Sequence, residues 1–452
     1  MSARRADHRR RQTGASSVVL MAVVAVVAVL VGVTVVTRDD KRSAAQVMLS
    51  RNAAQLAPAT TATQSSLNDF WTGQLPEVYG REFIQLRGGF QPKTPQSPPF
   101  SCGGKRQTYD DLKGNAFYCG DGNDDYIAWD AAQLFPDLNN AFGGIAAAVV
   151  LAHEMGHAVQ RRAAVEAPSV VIELQADCFA GAWVRYAETS DDDPVGLGDG
   201  ALDSAVSTVL TLRDQPGTSA TNAQAHGLGF DRVNAFQTGY EQGAGECAGF
   251  PDGRAVTTEL PFRTVSEART GGNLPLAEAV PFLAGSLDVF WPKALPVVVP
   301  GESFDRPSRR PVNSPPESGC VIEAASGYCA DMNAVFWVVP ALAQAHQLIG
   351  DLATGTALSD AWGLAAQTQA GLPTEGRTAG LQRDCFTGVW IAALAGNGLE
   401  QSLLSPGDVD EVLATMVAGS YSQAGDRLDR GGAFARTKAL RLGLFEGLGS
   451  CR

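Results

Sequence analysis

Residues 149–178 read VVLAHEMGHAVQRRAAVEAPSVVIELQADC, and the interpretation of the whole chain starts from this stretch. His153 and His157 stand four positions apart with Glu154 directly after the first. On a helix, positions i and i+4 lie on one face about one turn apart, so both imidazoles can bind a single zinc ion while the glutamate reaches a water beside it. The pattern therefore predicts a hydrolytic metal site on a helix.

The next acidic cluster supplies the candidate for a third ligand. Catalytic zinc usually takes three protein ligands and leaves a fourth position open. Glu173 is predicted as the third ligand, because a glutamate on the next helix can turn toward the ion when the two helices pack antiparallel. Glu166 is the alternative, but it stands in the connecting loop. Asp177 is predicted to accept a hydrogen bond from a ligand histidine, with a structural role beside Cys178 as the alternative.

Two further residues are candidates for chemistry. Glu154 is predicted to be the general base that takes a proton from the attacking water. The oxyanion that forms needs a donor besides the metal, and His226, aided by Arg232, is the candidate for that role. The alternative for His226 is a loop histidine bound to backbone.

The elements around these residues follow from apolar periodicity and from turn signals. Residues 140–162 are predicted to form one long helix through the two histidines, and residues 168–188 the next helix. Residues 202–213 and 231–242 are also predicted as helices. Tyr126–Asp130 is predicted as a strand, because its first four residues favour β-structure, and it is a candidate for holding a substrate backbone by β-addition.

Composition limits the classes of function. The chain has 452 residues, 45% of them hydrophobic, which is enough for a large core and for two domains. Its formal net charge is −13, so it offers no basic surface that would neutralise phosphates. Nucleic acid is therefore excluded as a predicted partner.

The N-terminus is basic and then apolar, whereas the chain as a whole is acidic. Residues 1–14 contain five arginines, and residues 15–37 form a nearly continuous apolar run, close to the length that spans a bilayer. We expect a cytoplasmic basic segment, a transmembrane helix and then a stalk over residues 38–65, with the bulk of the chain outside the cytoplasm. A cleaved signal peptide is the alternative, but its apolar core would be shorter.

The second half of the sequence echoes the first. Residues 286–291 (SLDVFW) match 66–71 (SLNDFW), 384–390 (DCFTGVW) match 177–183 (DCFAGAW), and 443–451 (GLFEGLGSC) match 239–247 (GYEQGAGEC). The offset falls steadily from 220 to 204, as a few small deletions would produce. The expected domains are residues 66–248 and 270–452, with a linker at 249–269.

The two copies differ at the residues that carry the chemistry. At the offset of 207, the positions that face His153, Glu154, His157 and Glu173 hold other residue types, namely Asp360, Ala361, Leu364 and Gly380. Two imidazoles, a base and a third ligand cannot come from that set. The second copy is therefore predicted to be degenerate and to bind no zinc, so that the chain holds one zinc ion in the first copy only.

The eight cysteines all follow the apolar run, in the compartment where disulfides are stable. Eight cysteines allow 105 pairings. If each copy is self-contained and both copies use one scheme, the simplest pairs are Cys102–Cys119, Cys178–Cys247, Cys320–Cys329 and Cys385–Cys451.

The first copy resembles the bacterial neutral zinc metallopeptidases, a membrane-anchored family among the thermolysin-like HExxH enzymes. The likeness spans residues 66–247 and lies in Tyr118-Cys119, Tyr126–Asp130, LAHEMGHAVQ from Leu151, ELQADCFAGAW from Glu173, His226-Gly227 with Arg232, and residues 239–247. The resemblance implies one zinc, His153 and His157 as ligands, Glu154 as catalytic residue, and an extracytoplasmic peptidase fold. The degenerate second copy departs from the family pattern.

These observations together predict a mainly helical α+β protein with a zincin-like domain, a degenerate tandem repeat and an N-terminal anchor. The predicted function is a membrane-anchored zinc metallopeptidase that acts as an endopeptidase on peptides or proteins. The alternative is a catalytically silent scaffold or regulatory protein that holds zinc and binds partners through the second copy.

Overall fold

Helices make up most of the chain, and its strands are short. The computed structural model describes residues 41–190, 197–198, 200–218, 225–258, 260–316, 320–323, 325–396, 402–421 and 430–451. By their contacts, Met1–Met48 and Leu49–Arg452 are separate units. All described helices and strands belong to the second unit, apart from the start of the first helix. The predicted mainly helical α+β class is confirmed.

The first half contains the elements that carry the histidine motif. In chain order they are α1 (Lys41–Tyr79), β1 (Gly89–Lys93), β2 (Phe100–Cys102), β3 (Lys105–Gln107), α2 (Tyr109–Leu112), β4 (Ala116–Cys119), β5 (Tyr126–Asp130), α3 (Leu134–Phe142), α4 (Ile145–Ala163), α5 (Ser169–Thr189), α6 (Ala201–Thr211), α7 (Gly229–Gln242) and α8 (Ala244–Ala248). Helix α1 covers most of the predicted stalk.

The second half follows with elements of similar kind and order. They are α9 (Val265–Thr270), α10 (Leu276–Val298), β6 (Ser308–Val312), β7 (Val321–Glu323), β8 (Ser326–Cys329), β9 (Ala334–Val338), α11 (Val339–Leu348), α12 (Asp351–Gln369), α13 (Gly376–Ala395), α14 (Asp408–Tyr421) and α15 (Ala433–Glu446). Three short 3-10 turns complete the described elements, namely Phe250–Asp252, Ala330–Met332 and Leu448–Ser450.

The two larger sheets share one pairing scheme. In the order β1-β5-β4, β5 is parallel to β1 and antiparallel to β4, with Tyr118 opposite Ile127. In the order β6-β9-β8-β7, β9 is parallel to β6 and antiparallel to β8, with Tyr328 opposite Val335. Strand β7 adds to the outer edge of β8, whereas β4 has no described neighbour on its outer edge.

The long helix predicted over residues 140–162 is wrong in one respect, because two helices share this segment. Helix α3 ends at Phe142, and α4 begins at Ile145 after Gly143 and Gly144. Gly143 has φ 82°, a left-handed conformation that glycine adopts without steric cost and that interrupts an α-helix. The strand Tyr126–Asp130 is confirmed, as are the three other helices to within a few residues at each end.

Helices α5 and α7 cross at very short range because glycines remove the side chains at the crossing. A β-carbon at Gly181 would lie 1.9 Å from the carbonyl oxygen of Phe236, and one at Gly239 would lie 1.7 Å from that of Cys178. Helices α13 and α15 cross in the same way: a β-carbon at Gly388 would lie 2.1 Å from the Leu440 oxygen. Any larger residue at these glycines would push the helix pair apart.

All four predicted disulfides are present. The pairs are Cys102–Cys119, Cys178–Cys247, Cys320–Cys329 and Cys385–Cys451, with S–S distances between 1.92 and 2.03 Å. Cys178 and Cys247 are fully buried, and this pair ties α5 to α8.

Removing the Cys178–Cys247 bond should destabilise the protein strongly. The bond closes a loop with a sequence separation of 69. The chain-entropy model for a loop of that size gives a loss of about 4 kcal/mol in the free energy of unfolding when both cysteines are replaced by alanine. Denaturant unfolding of the double variant against the oxidised parent measures the difference. A loss below about 1 kcal/mol would contradict a loop-closure origin of the stabilisation.

The predicted basic segment 1–14 and transmembrane helix 15–37 lie outside the described residues. Within the described part of the chain, no helix combines the length and the apolar character that a membrane span requires.

Candidate metal centre

Three predicted ligands converge between helices α4 and α5. His153 Nε2 and His157 Nε2 are 3.2 Å apart, and Glu173 places Oε2 3.2 Å from His153 Nε2 and Oε1 3.5 Å from His157 Nε2. The three residues form a potential metal-binding group whose contributing atoms all lie within 4.8 Å of one another. The structure thus brings both imidazoles and the carboxylate to one point, as the motif spacing predicts.

These distances fit a zinc ion. Two ligand atoms bound tetrahedrally to zinc at about 2.0–2.1 Å lie about 3.3 Å from each other, close to the separations observed here. Glu173 Oε2 is buried and makes no hydrogen bond of normal geometry within the described residues, although His153 Nε2 is near. A bound cation would supply the partner that this oxygen lacks.

A glycine on α4 lets the two helices approach at this point. A β-carbon at Gly156 would lie 2.9 Å from the Cα atom of Ala176. Ala176 stands directly before Asp177 and three positions after Glu173, so the contact draws the acidic face of α5 against the histidine face of α4. A side chain at position 156 would move the carboxylates away from the imidazoles.

The outer ring nitrogen of each histidine has its own partner. His153 Nδ1 is 2.8 Å from Asp177 Oδ1, and His157 Nδ1 is 2.9 Å from Gln160 Oε1. When Nδ1 donates to an oxygen, the ring must offer the lone pair of Nε2 to the metal. Asp177 therefore occupies the predicted position, and Gln160 plays the same part for His157.

Gln160 is itself hydrogen-bonded to residues of α5. Its Nε2 donates to Ile172 O at 2.6 Å and to Gln175 Oε1 at 3.1 Å. Gln175 Nε2 donates in turn to Cys247 O at 3.0 Å. This buried amide chain connects the His157 ring to the Cys178–Cys247 disulfide region.

Arg232 does not take the role predicted for it as an oxyanion donor. Its Nε donates to Asp177 Oδ2 at 2.7 Å, its Nη2 donates to Asp177 Oδ1 at 2.8 Å, and its Nη1 donates to Leu212 O. With only 3% of the residue exposed, the guanidinium is committed to Asp177. The bidentate pair positions the carboxylate that orients His153.

Glu154 faces the edge of the first sheet. Its Oε2 accepts a hydrogen bond from the Tyr118 N–H of β4 at 2.8 Å, and the residue is 8% exposed. The prediction that Tyr126–Asp130 holds a substrate backbone is wrong, because that strand, β5, is paired on both sides by β1 and β4. Strand β4 is the edge strand beside Glu154.

The two remaining candidates lie farther out. His226 is half-exposed, with 53% of its side chain accessible, and its Nδ1 is 3.5 Å from Asp214 Oδ1. It is close enough to Glu173 to contribute to lowering the pKa of that carboxyl. Glu166, the alternative third ligand, is exposed on the loop between α4 and α5 and does not belong to the metal-binding group.

Comparison with known proteins agrees with this geometry. A family model described as "Putative neutral zinc metallopeptidase" matches residues 3–250. The chain belongs to this family. No solved structure matches the chain.

Two proteins that are similar to this member of the zinc metallopeptidase family are described as uncharacterised. The uncharacterised protein Mb2605 of Mycobacterium bovis is 30% identical over 206 residues, which cover 40% of this chain and 66% of that protein. The uncharacterised protein YpfJ of Escherichia coli K12 is 29% identical over 149 residues, covering 28% of this chain and 50% of that protein. The matched part thus spans two thirds or less of each relative.

In the second half of the chain, Asp360 aligns with His153 at the offset of 207, and it belongs to a different cluster of side chains. Asp360 Oδ1 accepts from Arg383 Nε at 3.0 Å and from Arg430 Nη2. A β-carbon at Gly380, which faces Glu173, would lie 2.9 Å from the Arg430 side chain. Guanidinium groups thus stand where the first half has its ligands, and the absence of zinc there stays a prediction.

The acidic neighbours of His153 control its protonation. Burial by itself lowers the pKa of His153, but the charge and hydrogen bond of Asp177, followed by those of Glu173, outweigh burial and raise that pKa to about 10. Burial by itself raises the pKa of Glu173, but the two histidines lower it far below its usual value. The metal-free site is therefore an imidazolium held between two carboxylates at neutral pH.

Zinc binding should consequently release a proton and depend on pH. Zinc needs neutral His153, so between about pH 6.5 and 10 the association constant should rise by about tenfold per pH unit. Titration calorimetry in buffers of different ionisation enthalpy should give about one proton released per zinc. An affinity independent of pH over this range would contradict the imidazolium.

The same shift predicts how the metal-free protein responds to pH. The pKa of His153 is raised from 6.5 to about 10, so its contribution to stability is fully present below pH 6.5 and is lost as the pH rises toward 10. Denaturant unfolding of the metal-free protein across that range measures the loss.

Proposed function

We propose that this chain is a zinc-dependent peptidase that cleaves internal peptide bonds. His153, His157 and Glu173 would hold one zinc ion, and the convergence of their Nε2 and carboxylate atoms within 3.2–3.5 Å is the observation that carries the proposal. Membership of the zinc metallopeptidase family supports it independently.

Two residues of the chain, Glu154 and Tyr118, would have different roles in the reaction. Zinc, when bound, lowers the pKa of a water molecule and polarises a carbonyl group. Glu154, one residue after the first ligand, takes the proton from the attacking water and passes it to the leaving amine. The Tyr118 N–H holds one oxygen of Glu154, so the carboxylate is oriented before substrate arrives.

His226 is the candidate for stabilising the oxyanion. It is half-exposed and lies near Glu173, and its backbone N–H donates to Asp214 Oδ2 at 2.6 Å, which anchors the loop backbone. Its exposed imidazole, which contacts Asp214 Oδ1, would leave that carboxylate and turn toward a substrate held at the site. The outer edge of β4, where the Tyr118 N–H binds Glu154, is the edge that a substrate backbone would face.

We also propose that residues 270–452 are a degenerate copy of the peptidase fold. Matching contacts support this: Trp183 Nε1 donates to Ser66 Oγ at 3.1 Å, and Trp390 Nε1 donates to Ser286 Oγ at 3.0 Å. The common sheet pairing, the matching disulfides and the two glycine crossings support it further. The copy would have kept the framework and replaced the ligands.

The proposed location is the outer face of a membrane, with the N-terminus in the cytoplasm. It is motivated by the basic segment 1–14, the apolar run 15–37 and the four disulfides of the later sequence. Protease protection of intact cells, with a tag at the C-terminus, tests it: a protected tag would place the bulk of the chain inside.

The second candidate function is a silent scaffold that binds partners through the degenerate copy. The ion-pair cluster of Asp360, Arg383 and Arg430 favours it, since guanidinium groups stand at the positions of the second half that match the predicted ligands of the first. The three-residue ligand set argues against it, because structural zinc sites are closed by four protein ligands.

Metal analysis combined with a peptide-library cleavage assay separates the two functions. The peptidase predicts about one zinc per chain, and cleavage that stops with a chelator and returns with zinc. Zinc without cleavage of any peptide would favour the scaffold, and no zinc at all would contradict both.

A further inference from the structure

A second group of acidic side chains lies in the second half, away from the candidate zinc centre. Asp351 is the first residue of α12, and Asp408 and Glu411 lie in the first turn of α14. Each contributes one carboxylate oxygen to a group whose atoms all lie within 4.8 Å of one another. The three residues are 4%, 4% and 9% exposed, so the group is buried.

Backbone amides engage one oxygen of each carboxylate and thereby orient the other. Asp351 Oδ2 accepts from Leu274 N at 2.8 Å, Asp408 Oδ2 from Ser405 N at 2.8 Å, and Glu411 Oε2 from Leu352 N at 2.9 Å. The remaining oxygen of Asp351, Oδ1, is buried and has no hydrogen-bond partner within the described residues. An orphaned carboxylate oxygen inside a buried acidic group is the environment of a cation ligand.

The surrounding charges do not neutralise this group. Its charged neighbours are Arg263, His346 and a further carboxylate, Glu267. Arg263 donates to the carbonyl of Leu404, and among the described residues no basic side chain forms an ion pair with Asp351, Asp408 or Glu411. Three carboxylates buried together are costly unless a cation or shared protons compensate them.

We propose that Asp351, Asp408 and Glu411 bind a calcium ion. The ligand atoms are all oxygens, which hard cations prefer, and ligands at 2.3–2.6 Å from calcium can lie up to about 5 Å apart, as this group requires. Magnesium demands near-ideal octahedral geometry at shorter distances, which a group fixed to three backbone segments meets less readily.

The ion would join segments that are distant in the sequence. Asp351 is bound to the loop before α10 through Leu274 N, and its own N–H donates to Asn273 Oδ1 at 2.6 Å. Asp408 and Glu411 begin α14. Calcium would therefore connect the loop before α10 with α12 and α14 of the second half, independently of zinc in the first half.

Calorimetry and thermal unfolding of the full-length, zinc-loaded chain test the site. After treatment with a calcium chelator, we expect saturable binding of about one Ca²⁺ per chain at millimolar concentration or below, with a higher Tm. Asp351→Asn and Glu411→Gln should each abolish binding and the Tm response. Glu278→Gln, which removes an exposed charge on α10, should preserve both.

Three results would overturn the proposal. One is the absence of both heat and Tm shift with CaCl₂ in the parent chain, which would leave shared protons to compensate the carboxylates. Another is a response to MgCl₂ but not to CaCl₂. The last is calcium binding that Asp351→Asn and Glu411→Gln leave intact.

A different observation concerns the contact between the two halves. Asp410 of α14 accepts from the Gly229 and Phe230 N–H groups, which begin α7, at 2.8 and 2.7 Å. Asp203 of α6 accepts from the Phe434 N–H, which begins α15, at 2.8 Å. Each half thus caps a helix of the other, in a reciprocal arrangement.

The arginines on the two capped helices have different surroundings. Helix α7 carries Arg232, three residues after Gly229, and Arg232 holds Asp177 against His153. Helix α15 carries Arg436, whose Nε donates to Asp384 Oδ2 at 2.8 Å. Unlike Asp177, Asp384 does not contact a predicted zinc ligand. We infer that Asp410 is a positioning residue for the zinc centre. The second half would then hold the start of α7, and through Arg232 and Asp177 it would orient His153. This inference rests on the proposed zinc function.

Matched alanine substitutions of the two caps test this role. Asp410→Ala and Asp203→Ala should both lower Tm, because each removes the acceptor of N–H groups that begin a helix of the other half, and Asp410→Ala also removes the contact with Arg213. Only Asp410→Ala should weaken zinc binding, by up to about tenfold in competition with a chelator, and Asp410→Asn should restore part of the loss. Equal effects of the two caps on zinc affinity would overturn the inference, whereas a parent chain that binds no zinc would overturn the proposed function itself.

Discussion

Replacing Glu154 by glutamine is expected to lower kcat/KM for peptide hydrolysis by about 10²–10⁴-fold while zinc stays bound. Glutamine has nearly the same shape, and its side-chain oxygen can still accept from the Tyr118 N–H, so α4 and the ligands on it should not move. It cannot accept the proton of the attacking water. Zinc content by metal analysis and cleavage rates on one purified sample separate these two effects.

Glu166→Gln is the matched control for that experiment. It makes the same chemical change on the loop between α4 and α5, where Glu166 is exposed and outside the metal-binding group. Its activity should equal that of the parent chain. Equal activity of Glu154→Gln and the parent would refute the assignment of the general base, and loss of zinc in Glu154→Gln would show that the carboxylate has a structural role instead.

Arg232→Met is expected to destabilise the chain and weaken the metal site together. It leaves Asp177 buried without its bidentate partner, which should cost about 3–5 kcal/mol in the free energy of unfolding. The unpaired Asp177 would no longer orient His153, and loss of such a partner lowers metal affinity by about 10–100-fold. Denaturant unfolding and chelator competition measure the two effects.

The second half provides an internal control for this variant. Arg436 holds Asp384 with Nε at 2.8 Å and Nη2 at 3.0 Å, in the same bidentate geometry. Arg436→Met should also lower the free energy of unfolding, although Arg430 Nη2 remains 3.3 Å from Asp384 Oδ1, and should leave zinc affinity unchanged. A similar fall in zinc affinity for both variants would mean that the effect reflects global stability and not the orientation of His153.

Local pattern is sufficient to predict the strand and the longer helices around the two histidines, but it does not predict β1 to β4 or the short helices. The i, i+4 spacing of His153 and His157 places both rings on one helical face, and Glu173 follows at the distance that an antiparallel second helix needs. The break at Gly143 does not follow from pattern, because a glycine within an apolar run can continue a helix or end it. The structure decides between the two, with Gly143 at φ 82° between α3 and α4.

The internal repeat carries more information than any single motif. If each half is self-contained and both use one scheme, it reduces the 105 pairings to three, and the simplest of the three is the one observed. It also contains a signal for the role of Arg232: Arg232 and Arg436 are both retained at the offset of 204, as are Asp177 and Asp384 at 207. Two charged residues of opposite sign kept together indicate a buried pair, and that pair is present in both halves.

Several contacts depend on tertiary structure alone. Strand β4, not β5, lies at the edge beside Glu154, because strand order in a sheet follows from the packing of connections and not from the strand sequence. The acidic group of Asp351, Asp408 and Glu411 joins residues nearly sixty positions apart, and no spacing rule relates them.

The stretch from residue 149 to residue 178 by itself predicted the ligand types and their helical face, because a helix converts spacing along the chain directly into distance. Only the tertiary structure decided which groups outside this stretch position Asp177. Arg232 reaches Asp177, and Asp410 reaches the start of α7, across elements that the chain brings together through the burial of helix faces. Burial acts on whole surfaces, so the partners it creates cannot be deduced from any one segment.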